Sequence, residues 1–192
     1  MRLVVINHVT LDGVMQGPGR PDEDTRGGFV QGGWASAAED SAVTNAIGER
    51  MSPHRGGILL GRRSYDDMLG TWNERGGPFK DSLNAATKYV ASSNSDTKLA
   101  WPNSTLLSGD VPNLVADLKL QEGGNLVIMG SGQLIRSLLP HALIDEFLLI
   151  LHPIVLGSGQ RLFEHDNQRM ELQLADSKTS ATGTIIATYF PC

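Results

Sequence analysis

The chain has 192 residues, of which 40% are hydrophobic and 19% charged; this is enough for a packed core and excludes a disordered chain. The formal net charge of −5 argues against non-specific nucleic-acid binding, so an anionic ligand needs a local basic site. Cys192 is the only cysteine, which rules out an intrachain disulfide and a thiolate zinc cluster and fits a reducing, cytoplasmic setting.

The opening segment, Met1 to Ile6, lacks the apolar region and cleavage site of a signal peptide. Leu3 to Ile6 is apolar and β-branched, like a strand buried on both faces. Thr10 to Gly33 is rich in Gly, Pro and Asp; loops of this length are uncommon and often serve as lids. Trp34 to Arg50 reads as a helix with Ser36 as N-cap and Glu39 as its capping-box partner. Gly57 to Leu60 is a short strand, Gly61 ends it, and Arg62 to Leu69 is helical. Thr87 to Ala91 is a strand closed by Ser92 and Ser93, and Thr105 to Leu107 is a shorter one.

Val111 to Gln121 is an amphipathic helix after a Gly-Asp turn. Asn125 to Met129 is a very apolar strand, and Gly130-Ser131-Gly132 turns it into a helix over Gln133 to Leu139, stopped by Pro140. Ile144 to His152 is a long strand, with an apolar run, Phe147 to Leu151, too short to cross a bilayer. Pro153 to Gly159 is a turn-rich connection. Glu171 to Lys178 and Thr184 to Phe190 form an antiparallel hairpin across Ser180 to Gly183. Strands alternating with helices predict an α/β fold with a mostly parallel sheet, helices on both faces, and antiparallel strands added by the last hairpin. No repeat or linker interrupts the chain, so residues 1–192 are expected to form one domain.

Two strand-to-helix turns carry the chemistry. In Leu60-Gly61-Arg62-Arg63-Ser64-Tyr65, glycine permits close backbone approach and the helix start offers free N–H groups. Two arginines there supply forked, charge-assisted bonds suited to phosphate; an ordinary turn with two solvated arginines is the other reading. In Met129-Gly130-Ser131-Gly132-Gln133-Leu134, two glycines and a serine open a helix, an arrangement that suits a pyrophosphate or, more plainly, a tight turn. Ile135 replaces the third glycine of the Rossmann fingerprint, and no phosphate-loop Gly-Lys-Ser/Thr follows. Leu156-Gly157-Ser158-Gly159 repeats the Gly-Ser-Gly pattern without a clear helix after it and reads as a structural turn. The five histidines are scattered and form no metal-ligating pair, and no Gly-x-Ser-x-Gly elbow is present. Asp145-Glu146 is either a site carboxylate pair or the start of a surface strand.

The ordered set of motifs resembles the dihydrofolate-reductase-like family that includes the reductase domain of the bifunctional riboflavin-biosynthesis deaminase/reductase. It comprises Thr10-Leu11-Asp12-Gly13-Val14-Met15, Leu60-Gly61-Arg62-Arg63-Ser64-Tyr65 and Lys88-Tyr89-Val90-Ala91-Ser92. It continues through Gly130-Ser131-Gly132-Gln133-Leu134, Leu143-Ile144-Asp145-Glu146, Pro153 to Gly159 and Leu162-Phe163. The resemblance implies NADPH as cofactor and hydride transfer to a small, heterocyclic C=N or C=O substrate. It implies that Gly61, Arg62, Arg63 and Ser64 meet the 2′-phosphate and that Ser92 and Ser93 meet the adenosine side. It implies that Gly130, Ser131, Gly132, Gln133 and Leu134 hold the pyrophosphate and nicotinamide side. The segment Val9 to Met15, including Thr10, Asp12 and Gly13, would line the nicotinamide, and the loop beyond it would act as a lid.

The helix after the lid should carry an acid that sets up protonation, and Glu39 and Asp40 are the candidates; Glu39 as a cap partner and Asp40 as a solvent-facing residue are the plainer roles. The resemblance further implies a homodimer. The folate-site pattern and a zinc-bearing deaminase domain are both absent from the sequence, so neither dihydrofolate nor the riboflavin intermediate follows as substrate. A non-catalytic nucleotide sensor and a dimeric scaffold are the alternative functions.

Overall fold

The polypeptide is described by a computed structural model over residues 1–35, 40–51, 56–163 and 169–192. Its first strand is longer than its apolar core: β1 covers Arg2–Thr10, with Leu3 to Asn7 buried and His8 half-buried. The remaining strands are β2 (Gly57–Gly61), β3 (Thr87–Ala91), β4 (Ser104–Leu107), β5 (Asn125–Met129), β6 (Glu146–His152), β7 (Leu172–Thr179) and β8 (Ile185–Pro191). The helices are α1 (Ser41–Arg50), α2 (Arg62–Arg75), α3 (Pro78–Ala85), α4 (Val111–Leu120) and α5 (Gly132–Leu138). Among the described residues the strands hydrogen-bond in the order β4-β3-β2-β5-β1-β6-β8-β7. The fold is the expected α/β one, with a mostly parallel sheet and an antiparallel C-terminal hairpin.

Two compact units make up the chain, one of Met1–Val4 with Arg50–Asp145 and one of Val5–Glu49 with Glu146–Cys192. In the first, β2 pairs in parallel with β3 and β5, and β3 with β4. Parallel neighbours need crossover connections, and the helical segments between these strands supply them. Ile58, Leu60 and Val90 from the strands pack with Tyr65, Leu69 and Leu83 from α2 and α3. Tyr65 is fully buried, and its hydroxyl accepts the Trp101 N–H at 2.8 Å and lies 3.2 Å from Ser104 Oγ. Burying this ring contributes about 2–3 kcal/mol and fixes the first turn of α2 against the start of β4. Asp110 caps α4 by accepting the Asn113 N–H, as the Gly-Asp turn foreshadows.

Lys88 is also fully buried. Its Nζ donates to the carbonyls of Leu83 and Ala86 at 2.6 Å and of Asn84 at 3.3 Å, closing the C-terminal end of α3. Burial pushes the Lys88 pKa down to about 8. In the second unit, β6 and β7 both pair antiparallel with β8. β7 is exposed along nearly all its length, and Leu174 is 52% exposed.

Two differences from the sequence reading concern helices. α2 runs through Gly70 to Arg75 rather than ending at Leu69, and α3 lies in a stretch that carries no helix in that reading. Gly76 and Gly77, with φ of 74° and 87°, stop one helix, and Pro78 starts the next. The expected Ser36 cap and its Glu39 partner lie outside the described residues; α1 starts at Ser41, after Asp40.

Nothing lies within 4 Å of a Cβ built on helical Gly70. Gly70→Ala is therefore expected to stabilise the protein by about 0.5–1 kcal/mol, read as a higher urea midpoint with an unchanged slope. A lower midpoint would contradict the open environment assigned to this position.

Candidate functional site

Parallel register decides where the three expected cofactor segments lie within the first unit. Gly61 stands opposite Ala91, and Leu59 opposite Ile128, so β2, β3 and β5 release their chains along one edge. That edge, at the carboxyl ends of parallel strands, is where α/β sheets place ligands. The turns after β2 and β5 touch: the Gly61 N–H donates to Ser131 Oγ at 2.9 Å. A Cβ added to Gly130 would lie 3.7 Å from Ser64 Oγ. Gly130 and Ser131 both take left-handed backbone, with φ of 63° and 58°. For serine this conformation costs about 1 kcal/mol and keeps its hydroxyl on the neighbouring turn.

The start of α2 is electrostatically unusual. Its N-cap is Gly61, no side chain caps it, and its first turn holds no acid. Two cations at the positive end of a helix dipole are mutually unfavourable unless an anion joins them. Arg62 is partly committed, donating to Asp66 at 2.6 Å and to the Lys98 carbonyl at 3.0 Å. Arg63 is exposed, and among the described residues its side chain has no hydrogen bond or ion pair. Ser92 Oγ lies 2.8 Å from Thr97 Oγ1 and accepts the Asn94 N–H, which orders the loop after β3; Ser93 is exposed. In α5, Gln133 is exposed, Leu134 is buried, and Gly132 is the first helical residue.

The second unit holds the segment expected to line the nicotinamide. Thr10 Oγ1 donates to Asp12 Oδ1 at 2.6 Å and accepts the Val14 N–H at 2.9 Å. Gly13, with φ of 82°, closes this turn. The Asp12 carboxylate also accepts N–H groups of Leu156 and Gly157 at 3.2 and 2.8 Å. Arg161 donates from Nε to the Asp12 carbonyl at 2.9 Å. The Thr10 hydrogen bond first, and the loop amides with it, hold the Asp12 pKa down at about 2. Asp12 thus clamps the early turn to the Gly157–Gly159 turn, which is structural as read. Gly159 belongs there because a Cβ would meet Val14 and Phe29 side chains at 2.7 and 2.8 Å.

The lid segment has its own hub at Gln16. Its Nε2 donates to the carbonyls of Asp24 and Arg26, its Oε1 accepts the Gln160 N–H, and its carbonyl accepts Trp34 Nε1–H. Of the two acid candidates, Glu39 lies outside the described residues. Asp40 caps α1, accepting the Ala42 N–H at 3.0 Å, and also accepts Thr182 Oγ1–H at 3.0 Å. Hydrogen bonds from Ser180, then Thr182 and the helix amides, lower its pKa. Asp145 is structural: it accepts the Leu3 N–H and pairs with Lys119, both at 2.7 Å. Glu146 is buried at the start of β6.

The sequence reading missed one arrangement. His8 and His152, 144 positions apart, meet with Nδ1 of one and Nε2 of the other at 2.9 Å. Each sits near the end of a strand, and nothing local announces that those ends adjoin. Burial, then the charge of His152, lowers the His8 pKa to about 4; burial lowers that of His152, and Asp40 opposes it. Among the described residues no group of three or more His, Cys, Asp or Glu is placed to hold a metal, and no helix is long and apolar enough to cross a membrane.

Residues 2–186 match the RibD C-terminal domain, and the chain belongs to that family. The chain is 28% identical over 197 residues to YyaP, an uncharacterized Bacillus subtilis protein, covering 98% of this chain and 94% of that one. YwjB of the same organism is 28% identical over 121 residues, covering 63% and 66%.

Solved structures with the same fold include a riboflavin biosynthesis protein from Shewanella sp. PV-4, with TM-score 0.70 and 19% identity over 100% and 99% of the two chains. Dihydrofolate reductase from Enterococcus faecalis, complexed with NADP(H), gives 0.60 and 16% over 99% and 96%. A pyrimidine reductase-like protein from Corynebacterium diphtheriae gives 0.63 and 11% over 100% and 92%. The family supports a reductase role in general terms.

The histidine contact has a consequence for stability. Unfolded histidines titrate near 6.5 and folded His8 near 4, so the unfolded chain binds more protons between these values. Stability is therefore lost as pH falls from about 6.5 toward 4, while most carboxylates are still ionised. The guanidinium midpoint should fall between pH 7 and pH 5, and less so in His8→Asn. An unchanged or rising wild-type midpoint would contradict the neutral, half-buried pair.

Proposed function

We propose that this protein is an NADPH-dependent reductase that transfers hydride to a carbon of a small C=N or C=O compound. The observation that carries the reading is the start of α2: an uncapped helix end with two arginines and no acid, hydrogen-bonded through Gly61 to the Gly130–Ser131 turn. Such an edge suits a dinucleotide's phosphates, with N–H groups and guanidinium forks as donors. NADPH, when bound, supplies the hydride. The donor set fits that group, because Arg63 is free to meet a 2′-phosphate and the first-turn amides of α2 lack a side-chain cap.

The chain's own part follows from these positions. Gly61, Arg62, Arg63 and Ser64 hold phosphate. Ser92 and Ser93 border the adenosine side. Gly130, Ser131, Gly132, Gln133 and Leu134 form the second turn against the pyrophosphate. In the second unit, Asp12 clamps the Thr10–Gly13 turn and makes its backbone rigid. Most of the acceleration in such a reaction comes from orientation and exclusion of water. The dihydrofolate reductase neighbour is complexed with NADP(H), which supports the choice of cofactor.

The structure divides the two arginines. Arg63→Ala is expected to weaken NADPH binding by about tenfold or more, the worth of a charge-assisted phosphate contact, and to leave NADH binding nearly unchanged. Arg62→Ala should cost less, since that side chain already serves Asp66 and Lys98. Nicotinamide fluorescence titration reads both. Full NADPH affinity in an Arg62→Ala/Arg63→Ala double variant would overturn the placement of the phosphate site.

A further inference from the structure

The loop that leaves β3, residues 92–103, is held along its length by groups of the first unit. Near its start it closes on itself. Ser92 Oγ accepts the Asn94 N–H at 3.2 Å and lies 2.8 Å from Thr97 Oγ1. Asn94 Oδ1 accepts the Asp96 N–H at 2.9 Å, and the Asn94 carbonyl accepts the Thr97 N–H at 3.2 Å. Beyond this turn the chain runs against α2. Arg62 Nη1 donates to the Lys98 carbonyl at 3.0 Å, and the Trp101 N–H donates to the Tyr65 hydroxyl at 2.8 Å. Leu99 and Trp101 pack on the core that holds Tyr65 and Leu69.

Arg62 and Tyr65 stand three positions apart on α2, so they share one face of it, and that face carries the loop. Asp66, one turn beyond Arg62, accepts from Arg62 Nε at 2.6 Å. An exposed ion pair of this kind adds little stability, but it fixes the direction of the guanidinium. The guanidinium then spans two acceptors on different segments through two of its nitrogens, Nε to Asp66 and Nη1 to Lys98. A lysine ammonium, a single nitrogen on a flexible stem, does not reproduce that bridge. Arg63 makes neither contact. The two arginines of the motif therefore differ in kind: Arg63 is free for a ligand, and Arg62 ties helix to loop.

We propose that Arg62 is a positioning residue: with the Tyr65 hydroxyl it latches the 92–103 loop onto α2 and so fixes the adenosine-side wall of the cofactor site. This use of the latch rests on the NADPH reading above. Gly61 stands opposite Ala91, so the loop leaving β3 and the helix leaving β2 border the same sheet edge, where α/β sheets bind ligands. Holding Lys98 and Trp101 against the start of α2 orders that wall before the cofactor arrives, and binding is spared the entropy of ordering it. The adenosine half is common to NADPH and NADH, so the latch serves both. The 2′-phosphate is left to Arg63. By reciprocity, a cofactor that binds the docked loop better also holds it docked.

Trypsin reads the latch directly. The Lys98 side chain is exposed, but the carbonyl of the bond to be cut is the one Arg62 holds. Limited proteolysis of the full chain, followed by mass spectrometry at the Lys98–Leu99 bond, needs no cofactor. Cleavage is expected to be about fivefold or more faster in Arg62→Ala, Arg62→Lys and Tyr65→Phe than in wild type, and slower still in wild type with saturating NADPH. Wild-type cleavage as fast as in the variants would overturn the latch. Hydrogen exchange of the wild type keeps the test decisive if a variant fails to fold. The Trp101 amide, bonded to Tyr65, should exchange more slowly than that of Ser95, which has no acceptor among the described residues; equal rates would overturn the latch.

Nicotinamide fluorescence titration then reads the latch's use. The same three variants should weaken NADPH and NADH alike by about fivefold, the worth of one lost hydrogen bond, and keep the preference for NADPH within about twofold of wild type. Arg63→Ala should instead erode the preference itself. A phosphate ligand acting through its charge behaves differently: the preference would fall in Arg62→Ala and return in Arg62→Lys, and that result would overturn the positioning role. Unchanged affinity for both cofactors in all three variants would overturn it too. Binding of neither cofactor to the wild type would overturn the NADPH reading and the latch's use in it, while proteolysis still reports whether the latch exists.

Discussion

Everything assigned to the first unit depends on two parallel strands ending side by side. β2 and β5 run in register, and each must turn into its helix at the same edge. The Gly61 N–H to Ser131 Oγ bond joins the two turns, and the left-handed Ser131 backbone is what makes that bond possible. With the turns fixed to each other, the start of α2 has a defined orientation. Fully buried Tyr65 holds it from below. The helix end is thereby kept uncapped and positively charged, an arrangement that an isolated protein would otherwise avoid.

The second unit uses a different device. There the organising group is a carboxylate rather than a helix end. Asp12 accepts from one side chain of its own turn and from two backbone amides about 145 residues later in the chain. Removing it would leave these donors without their acceptor, whereas a free surface aspartate would lose nothing. Gln16 does the same for the longer loop, using both ends of its amide. These polar hubs make a Gly-rich segment rigid without an apolar core of its own, and the histidine pair lies in the same unit.

How much of this was legible in the sequence depends on whether the cause was local. β3 and β5 coincide with their expected ranges because compact apolar runs set them. The Gly61 and Gly130 turns were found because glycine after an apolar strand is a local signal. Their contact was not, since it follows from strand register. The helix from Arg62 was expected to reach only Leu69; the open side of Gly70 lets it continue, and packing of Trp72 on Phe79, with centroids at 4.6 Å, supports both α2 and α3. The His8–His152 contact was invisible for the same reason as the Asp12 clamp: both join residues more than 140 positions apart. Arg63 rather than Arg62 as the free cation also required the structure, because both stand in the same motif.

The central claim is that the paired turns of the first unit recognise the extra phosphate of NADPH. Titrating the wild-type protein with NADPH and with NADH, following nicotinamide fluorescence at moderate and at high salt, tests it most directly. The account predicts saturable binding with a clear preference for NADPH that shrinks as salt screens the arginines. Equal affinity for the two cofactors, or binding of neither, would contradict it.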